Sequence, residues 1–109
     1  MWVSVQLWKG GDYIKSNNNT EIQELSRLFS ALGSTARIKI IYNLKTKEKS
    51  VLDLAKLIDC ETSLISHHLN ILYAEKIVSF KKIGRYKFYY LNNLNIIDTI
   101  NETFKNMII

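Results

Sequence analysis

Three consecutive stretches decide the fold of this chain: SVLDLAKLIDC (50–60), ETSLISHHLNILYAEKIV (61–78) and SFKKIGRYKFYYL (79–91). The first two carry apolar residues at helical spacing and meet at a short polar turn, which predicts a pair of helices. The third consists of two aromatic and β-branched runs joined at Gly84-Arg85, which is typical of a β-hairpin. We therefore expect two short helices followed directly by a hairpin.

The second helix of this pair, predicted over about residues 62–74, has one apolar and one polar face. Ile65, Leu69 and Leu72 recur at positions i, i+4 and i+7, so they must face the core. Asparagine pairs with adenine through two hydrogen bonds, and serine bonds to several bases, so the polar face suits the major groove of DNA. An ordinary solvated helix face is the alternative. The polar residues of this face are Thr62, Ser63, Ser66, His67 and Asn70.

Four basic residues cluster on the predicted hairpin: Lys81, Lys82, Arg85 and Lys87. They are interpreted as phosphate contacts, with Arg85 at the tip as the foremost one; a solvated edge that prevents aggregation is the alternative. A helix pair with a polar outer face, followed by a basic hairpin, predicts a winged helix-turn-helix. The predicted fold class is mainly α with a small β-hairpin, in the order α-α-α-α-β-β-α, and dimeric.

Two helices are predicted before this unit and one after it. Residues 20–23 match a capping box for the first helix, Gly33 ends it, and Ser34 caps the second. The first and last helices carry apolar stripes that a small domain has little core left to cover, so we expect each to pack against its copy about a two-fold axis. The expected interface residues are Ile22, Leu25, Phe29, Ile97, Ile100, Phe104 and Ile108.

The bulk properties of the 109 residues predict one ordered domain over 20–109, preceded by an arm over 1–19 that is flexible or packs on a dimer partner. A net charge of +5 favours a polyanionic partner such as double-stranded DNA. The single cysteine, Cys60, excludes an intrachain disulfide and suggests a cytoplasmic location. No apolar run approaches the roughly 20 residues that span a bilayer, so no membrane partner is expected.

Cys60, His67 and His68 are the candidates for metal or redox chemistry. Adjacent side chains on a helix point about 100° apart and do not easily share one ion, so we expect His67 outside and His68 partly buried. Cys60 is expected to be a small, half-buried residue, with a redox switch as the alternative. No catalytic set, metal site or cofactor is predicted, and an enzyme is not expected.

Three segments resemble signatures of the ArsR family of regulators. ALGSTARI (31–38) is similar to the pattern A-L-G/A-D-P-T-R-L, SLISHHL (63–69) to S-x-V-S-x-H-L, and GRYKFYYL (84–91) to G-R-x-V-Y-Y-x-L. The resemblance covers roughly residues 24–108. It implies a homodimeric winged-helix repressor that dimerises through its first and last helices. Within the first segment, Arg37 could form either an ion pair on the helix surface or a contact to the backbone.

The chain departs from the family pattern in its sensor chemistry. Metal-sensing members often carry a Cys-x-Cys pair at the start of the helix before the recognition helix, where residues 50–53 offer no thiol. Other members bind metal with Asp and His along the C-terminal helix, where this chain has Asp98 and Glu102 but no His. Because zinc-type sites use imidazole or thiolate, we expect no metal and no effector at these usual places.

The sequence is also compatible with two other functions. The same fold could be a protein-interaction module whose basic wing binds an acidic partner, and salt-sensitive DNA binding without sequence preference would favour it. It could also be a metal- or redox-responsive sensor that uses Cys60, and stoichiometric zinc binding lost in Cys60→Ser would favour that.

Overall fold

The computed structural model describes residues 19–108, and within this range it contains five helices and three short strands. Residues 1–18 lie outside the described residues, and with them nearly all of the predicted arm. The helices are α1 (Asn19–Leu32), α2 (Thr35–Asn43), α3 (Val51–Ile58), α4 (Thr62–Ala74) and α5 (Asn95–Ile108). The strands are β1 (Lys49–Ser50), β2 (Val78–Ile83) and β3 (Tyr86–Leu91).

Serine side chains begin two of the helices, as predicted for Ser34. The Ser34 hydroxyl accepts a hydrogen bond from the Arg37 amide at 3.3 Å, which satisfies one of the free amides of the first turn of α2. Ser50 and Asp53 form a reciprocal capping box at the start of α3. The predicted box at residues 20–23 is wrong, because α1 already includes Asn19 and Thr20 therefore lies inside the helix.

One continuous hydrophobic core joins the helices to the sheet. Ile65, Leu69 and Leu72 of α4 are fully buried in it, as their spacing predicts. Ile97 of α5 is only 1% exposed and belongs to the same core, so its predicted place in a dimer interface is wrong. The apolar stripe of α5 is wide enough to pack one edge against its own chain and leave the other edge in solvent. No helix among residues 19–108 is long and apolar enough to cross a membrane.

The sheet has three antiparallel strands in the order β1-β3-β2, one more than the predicted hairpin. The hairpin strands align from Val78 opposite Leu91 to Ile83 opposite Tyr86. Gly84 begins the two-residue turn between them with a φ of 63°, a conformation that glycine adopts without steric cost. The extra strand, β1, places Ser50 opposite Phe88 and so attaches the start of α3 to the middle of β3.

Candidate nucleic-acid interface

The exposed face of α4 carries the polar residues that the sequence singled out. The buried stripe fixes the rotation of α4 about its axis, because three fully buried side chains must all point into the core. Thr62, Ser63, His67 and Asn70 are exposed, whereas Ser66 is half-buried. The structure therefore brings together one helical surface with hydroxyl, imidazole and amide groups that can bond to base edges or phosphates.

The basic residues of the hairpin divide into two environments. Lys82 lies directly opposite Lys87, and Arg85 is exposed at the turn. Like charges placed opposite each other on antiparallel strands repel, which is tolerable when a polyanion lies nearby. The Lys87 ammonium is 4.5 Å from the centre of the Phe80 ring, so a cation–π contact holds its stem against the sheet.

Lys81, by contrast, is partly neutralised within the chain. Its ammonium is 3.0 Å from the Glu48 carboxylate, in the loop before β1. The hydrogen bond from Lys81 lowers the pKa of Glu48 below its ordinary value, and the lysine charge lowers it further. This pairing was not predicted, because Glu48 lies 33 positions before its partner in a loop with no periodic pattern. A DNA phosphate would have to compete with Glu48 for this lysine.

Arg37 lies at a junction of three helices rather than on a free surface. Its Nε donates to the carbonyl oxygen of Ala31 at 2.6 Å, and its Nη2 donates to that of Ser30 at 3.3 Å. These are carbonyls of the last turn of α1, where a cation also interacts favourably with the helix dipole. Its Nη1 is 3.2 Å from Nδ1 of His68 on α4. The Arg37 guanidinium is therefore held by groups of its own chain.

His68 is half-buried, as predicted, while His67 is exposed. The two rings are 5.9 Å apart between centres. Burial lowers the pKa of His68 below its ordinary value, and the charges of Arg37 and His67 lower it further. The Arg37–His68 contact was not predicted, because it depends on how α2 packs across α4 and not on any local spacing.

Three of the seven residues predicted for a dimer interface are exposed on this single chain. Phe29 and Phe104 are each 63% exposed and Ile22 is 37% exposed, which is unusual for large apolar side chains unless another surface covers them. Leu25 and Ile100 are half-buried. The Ile108 side chain lies outside the described residues. Ile97 belongs to the core, as noted above.

Cys60 and the histidines do not form a metal centre in the described part of the chain. Cys60 is half-buried, packs against the hydrophobic core, and donates its amide to the carbonyl oxygen of Ala55 at 3.0 Å. Among residues 19–108, no group of three or more His, Cys, Asp or Glu side chains is arranged to hold a metal ion.

The class that this fold defines is the winged helix-turn-helix: α3 and α4 form the helix pair, and β2 and β3 form the wing. A solved structure with this fold is the homodimeric winged helix-turn-helix DNA-binding domain of a regulator from Mycobacterium bovis. It has a TM-score of 0.69 and 16% identity, covering 82% of this chain and 88% of that one.

Residues 34–79 match the family described as "Bacterial regulatory protein, arsR family". The chain is 32% identical over 77 residues to the transcriptional repressor SdpR of Bacillus subtilis (strain 168), covering 71% of this chain and 86% of that protein. It is 29% identical over 82 residues to a transcriptional repressor SmtB homologue of Synechocystis sp., covering 75% of this chain. These residues span 62% of the length of the SmtB homologue.

The chain therefore belongs to the ArsR family of transcriptional regulators, as its three signature segments predicted.

Proposed function

We propose that this chain is a DNA-binding transcriptional repressor that acts as a homodimer, with α4 in the major groove and the wing beside the DNA backbone. The observation that carries the proposal is the polar face of α4. Thr62, Ser63, His67 and Asn70 are exposed on a helix whose opposite side is anchored by fully buried residues, and a basic hairpin follows directly. This is the arrangement of a recognition helix with a wing.

A two-fold dimer is the second part of the proposal. Exposed Phe29 on α1 and Phe104 on α5 support an interface built from these two helices, and the M. bovis structure with the same fold is a homodimer. Such a dimer would place its two α4 helices in successive major grooves, about 34 Å apart along the DNA. Repression would follow if the bound dimer covers a promoter.

The third part is that the protein works in the cytoplasm, as a binding protein rather than an enzyme, and without the usual metal sites of its family. The start of α3 has no thiol, and α5 has no histidine among its described residues, which supports the absence of the usual metal sites. Adding zinc to the protein–DNA complex is the direct test. We expect no release of DNA at stoichiometric zinc, and release would show that a metal site exists.

The experiment that tests the function is selection from a pool of random duplexes, followed by sequencing, at near-physiological salt. We expect enrichment of a two-fold-symmetric motif with half-sites about one helical turn apart. A flat pool with residual salt-dependent binding would contradict sequence-specific binding and would favour an acidic protein partner for the wing.

Two variants then separate base contacts from phosphate contacts. His67→Ala should reduce discrimination between the selected motif and random DNA, by about 1–3 kcal/mol if the residue contacts a base. Arg85→Ala should weaken binding to both and reduce the salt slope by about 1. Lys105→Ala is the matched control, because it removes one positive charge from the last turn of α5. Unchanged binding in both test variants would contradict the docking arrangement.

A further inference from the structure

The side chain of Arg37 connects three helices through one guanidinium group. Two of its nitrogens donate to carbonyl oxygens of the last turn of α1, at 2.6 Å and 3.3 Å, and a third is 3.2 Å from Nδ1 of His68. Arg37 itself is on α2, next to the Ser34 cap. A planar guanidinium presents its donors in a fixed fork, so contacts on two sides restrict the relative position of the groups they reach.

The protonation state of His68 follows from this contact. A guanidinium group only donates hydrogen bonds, so Nδ1 of His68 must accept. The imidazole is therefore neutral, with its proton on Nε2. A protonated imidazole has donors on both nitrogens and cannot accept this bond, and its charge would then face the charge of Arg37.

We propose that the Arg37–His68 hydrogen bond positions the recognition helix α4 against α1, so that specific DNA affinity falls when the His68 ring takes up a proton. This inference rests on the proposed function. In the proposed dimer α1 belongs to the interface, so the angle between α1 and α4 sets where the two recognition helices lie relative to each other. DNA half-sites have a fixed separation, and a small change in that angle misaligns both helices.

The charged groups that act on the His68 ring are Arg37 from α2 and His67 from α4 itself. The last turn of α1 contributes uncharged carbonyl oxygens, which Arg37 holds. His67 is exposed on the proposed DNA surface.

The experiment compares two variants in which Gln replaces His67, so that a pH effect of the remaining histidine can be assigned to His68. In His67→Gln the ring of His68 still titrates. In His67→Gln with His68→Asn, the amide oxygen of Asn stands near the place of Nδ1 and accepts the same bond at every pH. Dissociation constants for the selected duplex and for an unrelated duplex are measured from about pH 8 to about pH 5.5, at constant ionic strength.

We expect the His67→Gln protein to lose roughly tenfold or more of its affinity for the selected duplex over this range, as for loss of a hydrogen bond with a charged partner. The double variant should lose far less, and neither protein should lose affinity for the unrelated duplex. Equal pH profiles for the two proteins on the selected duplex would overturn the inference.

A measurement without DNA separates failure of the inference from failure of the proposed function. Residual dipolar couplings report the orientation of α4 relative to α1 in the free protein. We expect them to change through the His68 titration in His67→Gln and to stay constant in the double variant; constant couplings in both would overturn the positioning role. Failure to select any duplex at about pH 8 would overturn the proposed function instead.

Discussion

At the scale of single residues, two ionisable side chains of the described structure each lie beside a partner that alters their properties. The partner of Lys81 limits its contact with phosphate, and the partner of His68 limits its protonation. Glu48 holds Lys81 at 3.0 Å, and Arg37 holds His68 at 3.2 Å. In the first pair a carboxylate competes with any phosphate for a lysine of the wing. In the second, an arginine requires a histidine to stay neutral. Both pairs join segments that are far apart in sequence, so both connect electrostatics to tertiary structure.

Removing the negative charge of Glu48 is expected to strengthen DNA binding. In Glu48→Gln, Lys81 loses its ionic partner and becomes free to contact a phosphate. We expect tighter binding to both selected and unrelated duplexes, with a salt slope steeper by up to about 0.9, the value for one additional phosphate contact. Filter-binding titrations over a range of salt concentrations measure both quantities.

The control for this variant is Glu24→Gln, which removes the same charge from the exposed surface of α1. It tests whether the gain comes from net charge alone. Equal gains in the two variants would show that the Glu48–Lys81 pair has no specific role.

The free energy of unfolding should depend on pH through His68. Its pKa is lowered in the folded chain by burial first and by the two neighbouring charges second. The unfolded chain therefore binds the proton more readily, and stability is lost as the pH falls from about 6.5 through the lower folded-state pKa. Urea denaturation at a series of pH values checks this, and His68→Asn should flatten the profile in that range. A profile identical to that of the unmodified chain would contradict a lowered pKa.

At the scale of elements, the periodic segments were predicted well and the non-periodic ones were not. The predicted bounds of α4, residues 62–74, agree with the structure, because a strict apolar stripe follows a polar turn. β1 was missed because two residues cannot display an alternating pattern. Ile97 was misplaced because a stripe on α5 shows which residues are apolar but not which of them face the same chain. The Arg37–His68 contact was missed because 31 positions separate the partners.

The Ser50 cap is expected to contribute measurably to the stability of the whole domain. Ser50→Ala removes the hydroxyl that accepts the Asp53 amide at 3.1 Å and leaves that amide of α3 without its partner. We expect a loss of about 1 kcal/mol in the free energy of unfolding, within the range of about 0.5–2 kcal/mol for such caps. Ser26→Ala, at an exposed position inside α1, is the control and should change stability little. A loss no larger than that of the control would mean that water replaces the cap.

At the scale of the whole molecule, the residues assigned to DNA and the two exposed phenylalanines lie on different elements. The exposed polar and basic groups that we assign to DNA lie on α4 and the wing, whereas the large exposed phenylalanines lie on α1 and α5. This separation allows one surface to bind a second copy while the other binds DNA. Arg37, on α2, connects the two regions, because it donates to carbonyl oxygens of α1 and contacts His68 of α4.

A charge placed on the apolar surface of α5 is expected to convert the proposed dimer to monomers. In Phe104→Glu a side chain that is 63% exposed on one chain would become a buried, unpaired carboxylate in the interface. We expect sedimentation equilibrium to report half the mass of the unmodified protein and binding to the symmetric motif to be lost. Leu52→Glu, at a 52% exposed position on α3, is the matched control and should leave the mass unchanged. An unmodified protein that sediments as a monomer would contradict the proposed dimer.

Ser50 belongs to strand β1 and is also the N-cap of α3, and this affects how the domain opens. Ser50 pairs with Phe88 in the sheet, and its hydroxyl also caps α3, so no linker separates the strand from the helix. Separation of β1 from β3 therefore withdraws the cap from α3 in the same event. Fraying where β1 pairs with the middle of β3 and fraying of the first turn of α3 should then form one cooperative foldon with a single opening free energy. Amide protons in both places would then give the same opening free energy in deuterium exchange.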